Sequence, residues 1–241
     1  MKRYSFWIII ALFSFSIGLC AVLAWLYYGQ KDIVEIEPIL LLDNSCIQSK
    51  SYPGLSKKIS ELQKGKSGYF PKGTWKSFDI ADLSMNEWYG KFLKSMDETS
   101  LLDVSDNTEV YRFLWLRSFH HPIFVRIERN GNSIQLFSKE LDGGGGYEPG
   151  KVLRQEHKIL DEQQWCGFLN LLGKSNYWQM PVENNEVLGN DGSQWILEGV
   201  KDGRYHVVDR WTPKNGEYRE ACIYLLKLSG VDVDRLKEEL Y

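Results

Sequence analysis

Charge of one sign is what this sequence most plainly lacks. Its 29 Lys and Arg stand against 32 Asp and Glu, for a formal net charge of -3 and a pI near 5.9. That balance offers no general attraction to phosphate backbones or anionic lipid, and argues against a nucleic-acid partner. Cysteine is scarce: four residues, none at the close paired spacing of a zinc site and none beside an adjacent base. Metal and thiol chemistry lose their usual starting point. Also missing are a nucleophile elbow around serine, a dinucleotide fingerprint and a phosphate-binding loop. No cofactor is implied. No internal repeat is found, and the only low-complexity tract is Gly143 to Gly146. The 241 residues are nonetheless 43% hydrophobic and 14% aromatic, enough for one sizeable core or two small ones.

Against this even background one long apolar run stands out. No charged residue lies between Arg3 and Lys31, and the 23 positions from Phe6 to Tyr28 are almost wholly apolar. At about 1.5 Å per residue they make a helix of roughly 35 Å, long enough for a hydrocarbon layer of about 30 Å. Lipid offers backbone groups no partner, so a spanning segment must bond internally. Tyr4, Phe6 and Trp7 at one end, and Trp25, Tyr27 and Tyr28 at the other, form an interfacial belt. A cleaved signal peptide has a shorter apolar region, about 7 to 15 residues, followed by a small-x-small site that is missing here. Cys20 follows Leu19, where a lipoprotein signal carries a small residue. Lys2 and Arg3 precede the run, whereas Lys31 is soon offset by Asp32, Glu35 and Glu37. The pattern predicts a cytoplasmic end at 1–5, a single-pass signal-anchor over 6–28, a stalk or extended segment at 29–52, and an extracytoplasmic domain over 53–241.

Within that domain, Leu55 to Lys64 has helical spacing after Pro53-Gly54. Ser84 and Glu87 form a capping box opening a helix to Asp97. From Tyr111 the period changes to two, with both faces apolar, so this strand is covered on both sides. Ile123 to Glu128 and Ile134 to Leu136 flank an Asn130-Gly131 hairpin turn. The glycine run makes a flexible or tightly bent connection to a further strand at Lys151 to Leu160. Asp161 caps a helix ending at Gly173. Trp195 to Val200 and Tyr205 to Trp211 form a second hairpin through Asp202-Gly203. Glu217 to Leu228 is amphipathic, closed by Gly230, and 232–240 adds a last turn or two of helix. Hairpins outnumber crossovers, which predicts an α+β fold: an antiparallel sheet of five or six strands covered by amphipathic helices.

The densest polar cluster is Asp191, Glu198, His206, Asp209 and Arg210. A two-residue turn at Asp202-Gly203 sets Glu198 opposite Val207, on the face of Tyr205 and Asp209; His206 and Arg210 fall on the other face with Trp195 and Leu197. Glu198 and His206 therefore form no local acid–base pair. Catalytic candidates are Glu198, His206, Asp209 and the loop residue His120; binding candidates are Arg210 for an anion, with Trp195, Trp211 and Asp191. The plainer roles are solvated strand residues or ion pairs with the covering helices for the charged candidates, a satisfied turn histidine for His120, and core packing for Trp195 and Trp211. His120 and His121, adjacent on an extended chain, point to opposite faces and chelate no metal unaided. Cys166 and Cys222, each on a helix, are a candidate disulfide; two buried thiols are the alternative.

The stretch Asp191-Gly192-Ser193-Gln194-Trp195-Ile196-Leu197-Glu198-Gly199, continued by Tyr205-His206-Val207-Val208-Asp209-Arg210-Trp211 and Pro213, resembles a segment of small bacterial proteins of unassigned function. The resemblance covers about the last half of the chain, from Tyr111. It implies a bacterial source and an α+β domain, and carries no activity or site residue with it. The combined expectation is a membrane-anchored domain that binds a protein or envelope ligand. An anchored hydrolase using the carboxylates and histidines of the 195–211 hairpin is the alternative.

Overall fold

A strand that is apolar on both faces needs cover on both faces, and Thr108–Arg117 obtains it at the centre of the sheet. In the computed structural model, which describes residues 57–65, 68–75, 79–105, 107–184, 191–233 and 236, seven strands pair antiparallel throughout. They are β1 (Lys57–Lys58), β2 (Thr108–Arg117), β3 (Ile123–Asn130), β4 (Ser133–Leu141), β5 (Val152–Ile159), β6 (Ser193–Lys201) and β7 (Arg204–Trp211). Their order across the sheet is β1-β7-β6-β2-β3-β4-β5. The predicted α+β class is correct, with seven strands instead of five or six. The anchor at 6–28, its flanks at 1–5 and 29–52, and most of 232–240 lie outside the described residues. Among the described residues, no helix is long and apolar enough to cross a membrane.

Helices α1 (Ile59–Leu62) and α2 (Asp79–Ser95) precede β2; α3 (Glu162–Lys174) follows β5, and α4 (Glu217–Ser229) follows β7. One core lies between the sheet and α3 with α4, where Tyr111, Phe113, Trp115, Trp195, Leu197 and Val208 meet Trp165, Phe168, Cys222 and Leu225. A second lies on the opposite face, where Val110, Leu114, Ile196 and Val207 meet Phe70, Trp75, Tyr89 and Phe92. Alternate residues of β2 feed alternate cores. Burying each large side chain contributes about 1.5–3 kcal/mol.

Several local details differ from the sequence pattern for identifiable reasons. Lys57–Lys58 pairs with Tyr205 and Arg204, satisfying the outer edge of β7, so the helix expected over 55–64 shrinks to α1 and a 3-10 turn at Gln63–Gly65. Helix α2 begins at Asp79, five residues before the predicted cap; the Asp82 carboxylate accepts from the Gly73 and Trp75 amides and ties the preceding loop to its first turn. The first hairpin turns at Gly131, φ +58, with Asn130 and Ser133 still paired, one position beyond the predicted Asn130-Gly131. A single positive φ at the first central position is what glycine supplies there. Helix α3 runs past Gly173 to Lys174, and Asn176 takes the left-handed position, φ 56. The predicted Asp161 cap is present as a full capping box with Gln164.

The disulfide expectation needs correction. Cys166 is disulfide-bonded, but Cys222 is a free thiol buried in the core. Cys222 packs among the apolar side chains of the α3–α4 face, where burial pushes the thiol above its ordinary range.

Candidate functional site

The second hairpin has the predicted register: Lys201 pairs with Arg204, Glu198 with Val207 and Ile196 with Asp209. It places four polar side chains inside the protein, and each finds partners from elements far along the chain. Glu198 meets Arg112, its neighbour on β2; the Arg112 Nε and one terminal nitrogen donate to the same Glu198 oxygen at 2.8 and 2.7 Å. Tyr205 donates to the other oxygen at 2.9 Å. Arg112 also donates to the Thr99 carbonyl at 2.7 Å and contacts Glu98, which binds Arg126. Burial raises the Glu198 carboxyl while Arg112 pulls it down, and Glu198 in turn holds Arg112 charged. An ion pair so enclosed is structural: the Glu198 carboxylate has no open side from which to take a substrate proton.

Asp209 lies on the same face as Glu198 but belongs to a different network. Its Oδ2 accepts from Tyr89 at 2.8 Å and the Trp75 indole at 3.1 Å, while Oδ1 has no hydrogen-bond partner among the described residues. Burial, reinforced by Glu183, pushes its carboxyl up to about 7 against the pull of these donors. On the opposite face His206 donates through Nε2 to the Met180 carbonyl at 3.0 Å, and burial pushes its imidazole down to about 4. Arg210, proposed for anion binding, donates instead to the Val182, Pro181 and Asp209 carbonyls. With the bond from the Asp209 amide to Val182 at 2.7 Å, these contacts strap 180–182 across β7. Glu198, His206 and Asp209 thus do not converge. Trp195 is wholly buried in the core, where it packs against Phe113 and Trp115.

Two binding candidates remain at the surface, and they sit between two depressions. Asp191 and Trp211 border both a groove of about 420 Å³ and a more polar one of about 790 Å³ reaching Lys174, Arg210 and Lys214. The smaller groove runs between α2 and the end of the sheet where β2 finishes and β6 begins. Leu116, Met85 and Tyr89 contribute apolar surface, Trp88, Phe119, Tyr147 and Trp211 are its aromatic boundary, and Ser118 and Gln194 add polar groups. Phe119 and Tyr147 are each 60% exposed with ring centroids 6.2 Å apart. Sequence reading missed both. Their setting depends on the glycine run, whose tight bend brings Tyr147 beside the β2 end.

Within the bend every glycine amide is bonded to backbone. The amides of Gly143, Gly144, Gly145 and Gly146 donate to the carbonyls of Pro149, Glu148, His120 and Ser118. None points outward to cradle a phosphate, in agreement with the missing Lys-Ser/Thr tail. A Cβ at Gly145 would come within 2.5 Å of the Arg117 amide, so this position requires glycine. Lys91 fastens the loop to α2, donating to the Tyr147 carbonyl at 2.7 Å while lying over the Trp88 ring at 3.9 Å.

His120 borders a third cavity, of about 250 Å³, together with His121, Glu140, Arg117 and Arg154. Expected on opposite faces, the two histidines share this cavity because the chain turns after Arg117 instead of staying extended. His121 Nδ1 lies 3.0 Å from Glu140. Among the described residues, no group of three His, Cys, Asp or Glu side chains could hold a metal ion.

No family model matches the chain, and no curated protein sequence matches it. Geometry and physical chemistry alone therefore carry the functional reading.

Proposed function

We propose that the chain is a single-pass membrane protein, tethered by residues 6–28 with its amino terminus in the cytoplasm, that displays its α+β domain outside the cytoplasm. There it binds a protein or envelope ligand in the groove between α2 and the β2 end. The carrying observation is that Phe119 and Tyr147 stand exposed on the same groove that Trp88 and Trp211 line, with Asp191 and Gln194 beside them. Exposed aromatics around a concave apolar floor suit an extended peptide or the ring face of a sugar, and the adjacent polar groups supply orientation. The internal partners of Glu198, His206 and Arg210 favour binding over hydrolysis at the hairpin. The apolar run and its flanking charges support the tether.

The test has two arms. Membrane fractionation followed by protease accessibility in spheroplasts should find the chain in the membrane and the domain digested from outside; intact chain in the cytosol would remove the proposed setting. Tryptophan fluorescence of the full chain in nonionic detergent, titrated with soluble cell-wall fragments and with extended peptides, should saturate with one class. Phe119→Ser and Tyr147→Ser should abolish that response without lowering the melting temperature. Unchanged binding in both variants would exclude the groove.

A further inference from the structure

Strand β5 is the outermost strand on its side, and no described strand pairs with its far edge. Val152, Leu153 and Ile159 are half of the six large apolar side chains that are exposed among the described residues, so the exposed apolar surface concentrates on this strand. Leu160 donates its amide to the Ile134 carbonyl, and the β4 register continues unbroken through Lys158, Glu156 and Arg154. Those even-numbered residues bond inward, and Gln155, His157 and Ile159 then turn their amides and carbonyls outward; Leu153 falls in the register shift between Glu140 and Leu141. An extended, apolar edge of this kind is a template for another strand unless charge blocks it.

The charges on β5 select the occupant. Arg154, Glu156 and Lys158 share the face toward α4, where Arg154 and Lys158 reach the Gly230 and Leu228 carbonyls. We propose that the β5 edge pairs antiparallel with β5 of a second copy of this chain, with Gln155 facing Gln155 on the two-fold axis. The outward-facing amide and carbonyl of Gln155 then bond those of its counterpart across the axis. Arg154 of each copy lies opposite Glu156 of the other, at a non-hydrogen-bonded position where side chains approach most closely. Within one copy these two side chains already contact each other at 3.2 Å, and both are more than one-third exposed, so the four charges close into one network across the axis. Slipping the pair to set Leu153 against Ile159 would bring Glu156 onto Glu156 and Arg154 onto Lys158, a like-charge arrangement. Placing His157 on the axis would pair Glu156 with Lys158, whose ammonium is already turned to Leu228. Like charges disfavour the Leu153–Ile159 register, and because Arg154 is exposed where Lys158 is half-buried, the Gln155-centred register is favoured over the one on His157; the sheet then continues from one copy into the next.

Sedimentation velocity of the full chain in nonionic detergent, over a range of concentrations, should show a species with twice the protein mass of 28.0 kDa. Arg154→Glu places two like-charge pairs across the axis and should weaken dimerisation by about tenfold or more. Combining it with Glu156→Arg restores opposite charges and should restore the dimer, which also shows that the single variant is not merely misfolded. Gln155→Cys should give a disulfide-linked dimer on mild oxidation that the parent chain does not form. A parent chain that is monomeric at every concentration overturns the proposal. So does a dimer indifferent to Arg154→Glu, the result expected if the apolar amino-terminal run or another surface drives association.

Discussion

Asp209 and His206 lie three positions apart on β7, on opposite faces of the sheet, and burial moves their acidities in opposite directions. The Asp209 carboxyl rises from 3.8 to about 7, so the folded protein retains a proton that the unfolded chain releases. Its contribution to stability is fully present below pH 3.8 and is lost as pH rises towards 7. With about 1.4 kcal/mol per unit, the loss is about 4 kcal/mol. The His206 imidazole falls from 6.5 to about 4, so the folded protein refuses a proton that the unfolded chain accepts. Its contribution is present above pH 6.5 and is lost as pH falls towards 4, by about 3 kcal/mol. Between these limits the two slopes oppose and nearly cancel. Asp209→Asn keeps an oxygen to accept from Tyr89 and Trp75 while removing the titration. Its stability relative to the parent should rise by about 3 kcal/mol between pH 4 and pH 7. His206→Gln keeps a donor for the Met180 carbonyl, and its relative stability should change by about 3 kcal/mol in the opposite direction: highest at acid pH, lowest near 6.5. Urea unfolding of the full chain in nonionic detergent, at half-unit pH steps, reads both differences, and subtraction removes every group the variants share. A difference curve for Asp209→Asn that is flat within about 0.5 kcal/mol would refute the account of Asp209 as a buried acid that keeps its proton.

Other predictions concern the network, the loop and the thiols. Arg112→Met leaves Glu198 buried without its cation and should cost about 3–5 kcal/mol in urea unfolding, whereas the joint replacement Arg112→Met with Glu198→Leu should recover much of that loss. Gly145→Val drives a side chain into the Arg117 amide; proteolysis of the 143–150 loop should accelerate and groove binding should fall, even where the overall fold survives. Peptide mapping without reduction should recover Cys166 in a disulfide and Cys222 as a thiol that alkylates only after denaturation; a Cys166–Cys222 peptide would contradict the structure.

Legibility from sequence follows the range of the interaction. Strand faces, the Asp202-Gly203 turn and the Asp161 cap depend on neighbours within a few residues, and the pattern shows them directly. Register arithmetic on the second hairpin also separates Glu198 from His206 correctly, because a pleated strand alternates with a period of two. What the pattern could not show is why such polar side chains tolerate burial. The Glu198 cation, Arg112, lies 86 residues away, and Tyr89 lies 120 residues from Asp209. A signal for the first was present in Arg112, a charge set within the apolar run from Val110 to Leu116, since a charge on a strand covered twice requires a counter-charge. Phe119 and Tyr147 carried no comparable signal; an aromatic beside a glycine run reads the same whether its ring is packed or exposed.

The amino-acid sequence by itself determined the main strands, most of the helices and which side chains share a strand face, because period, caps and turns act through the local backbone. Tertiary structure alone decided which charges neutralise one another, which cysteine is bridged, and where an open groove is left. Those outcomes depend on surfaces meeting across the sheet, and burial changes the energy of a charge far more than any neighbour along the chain does.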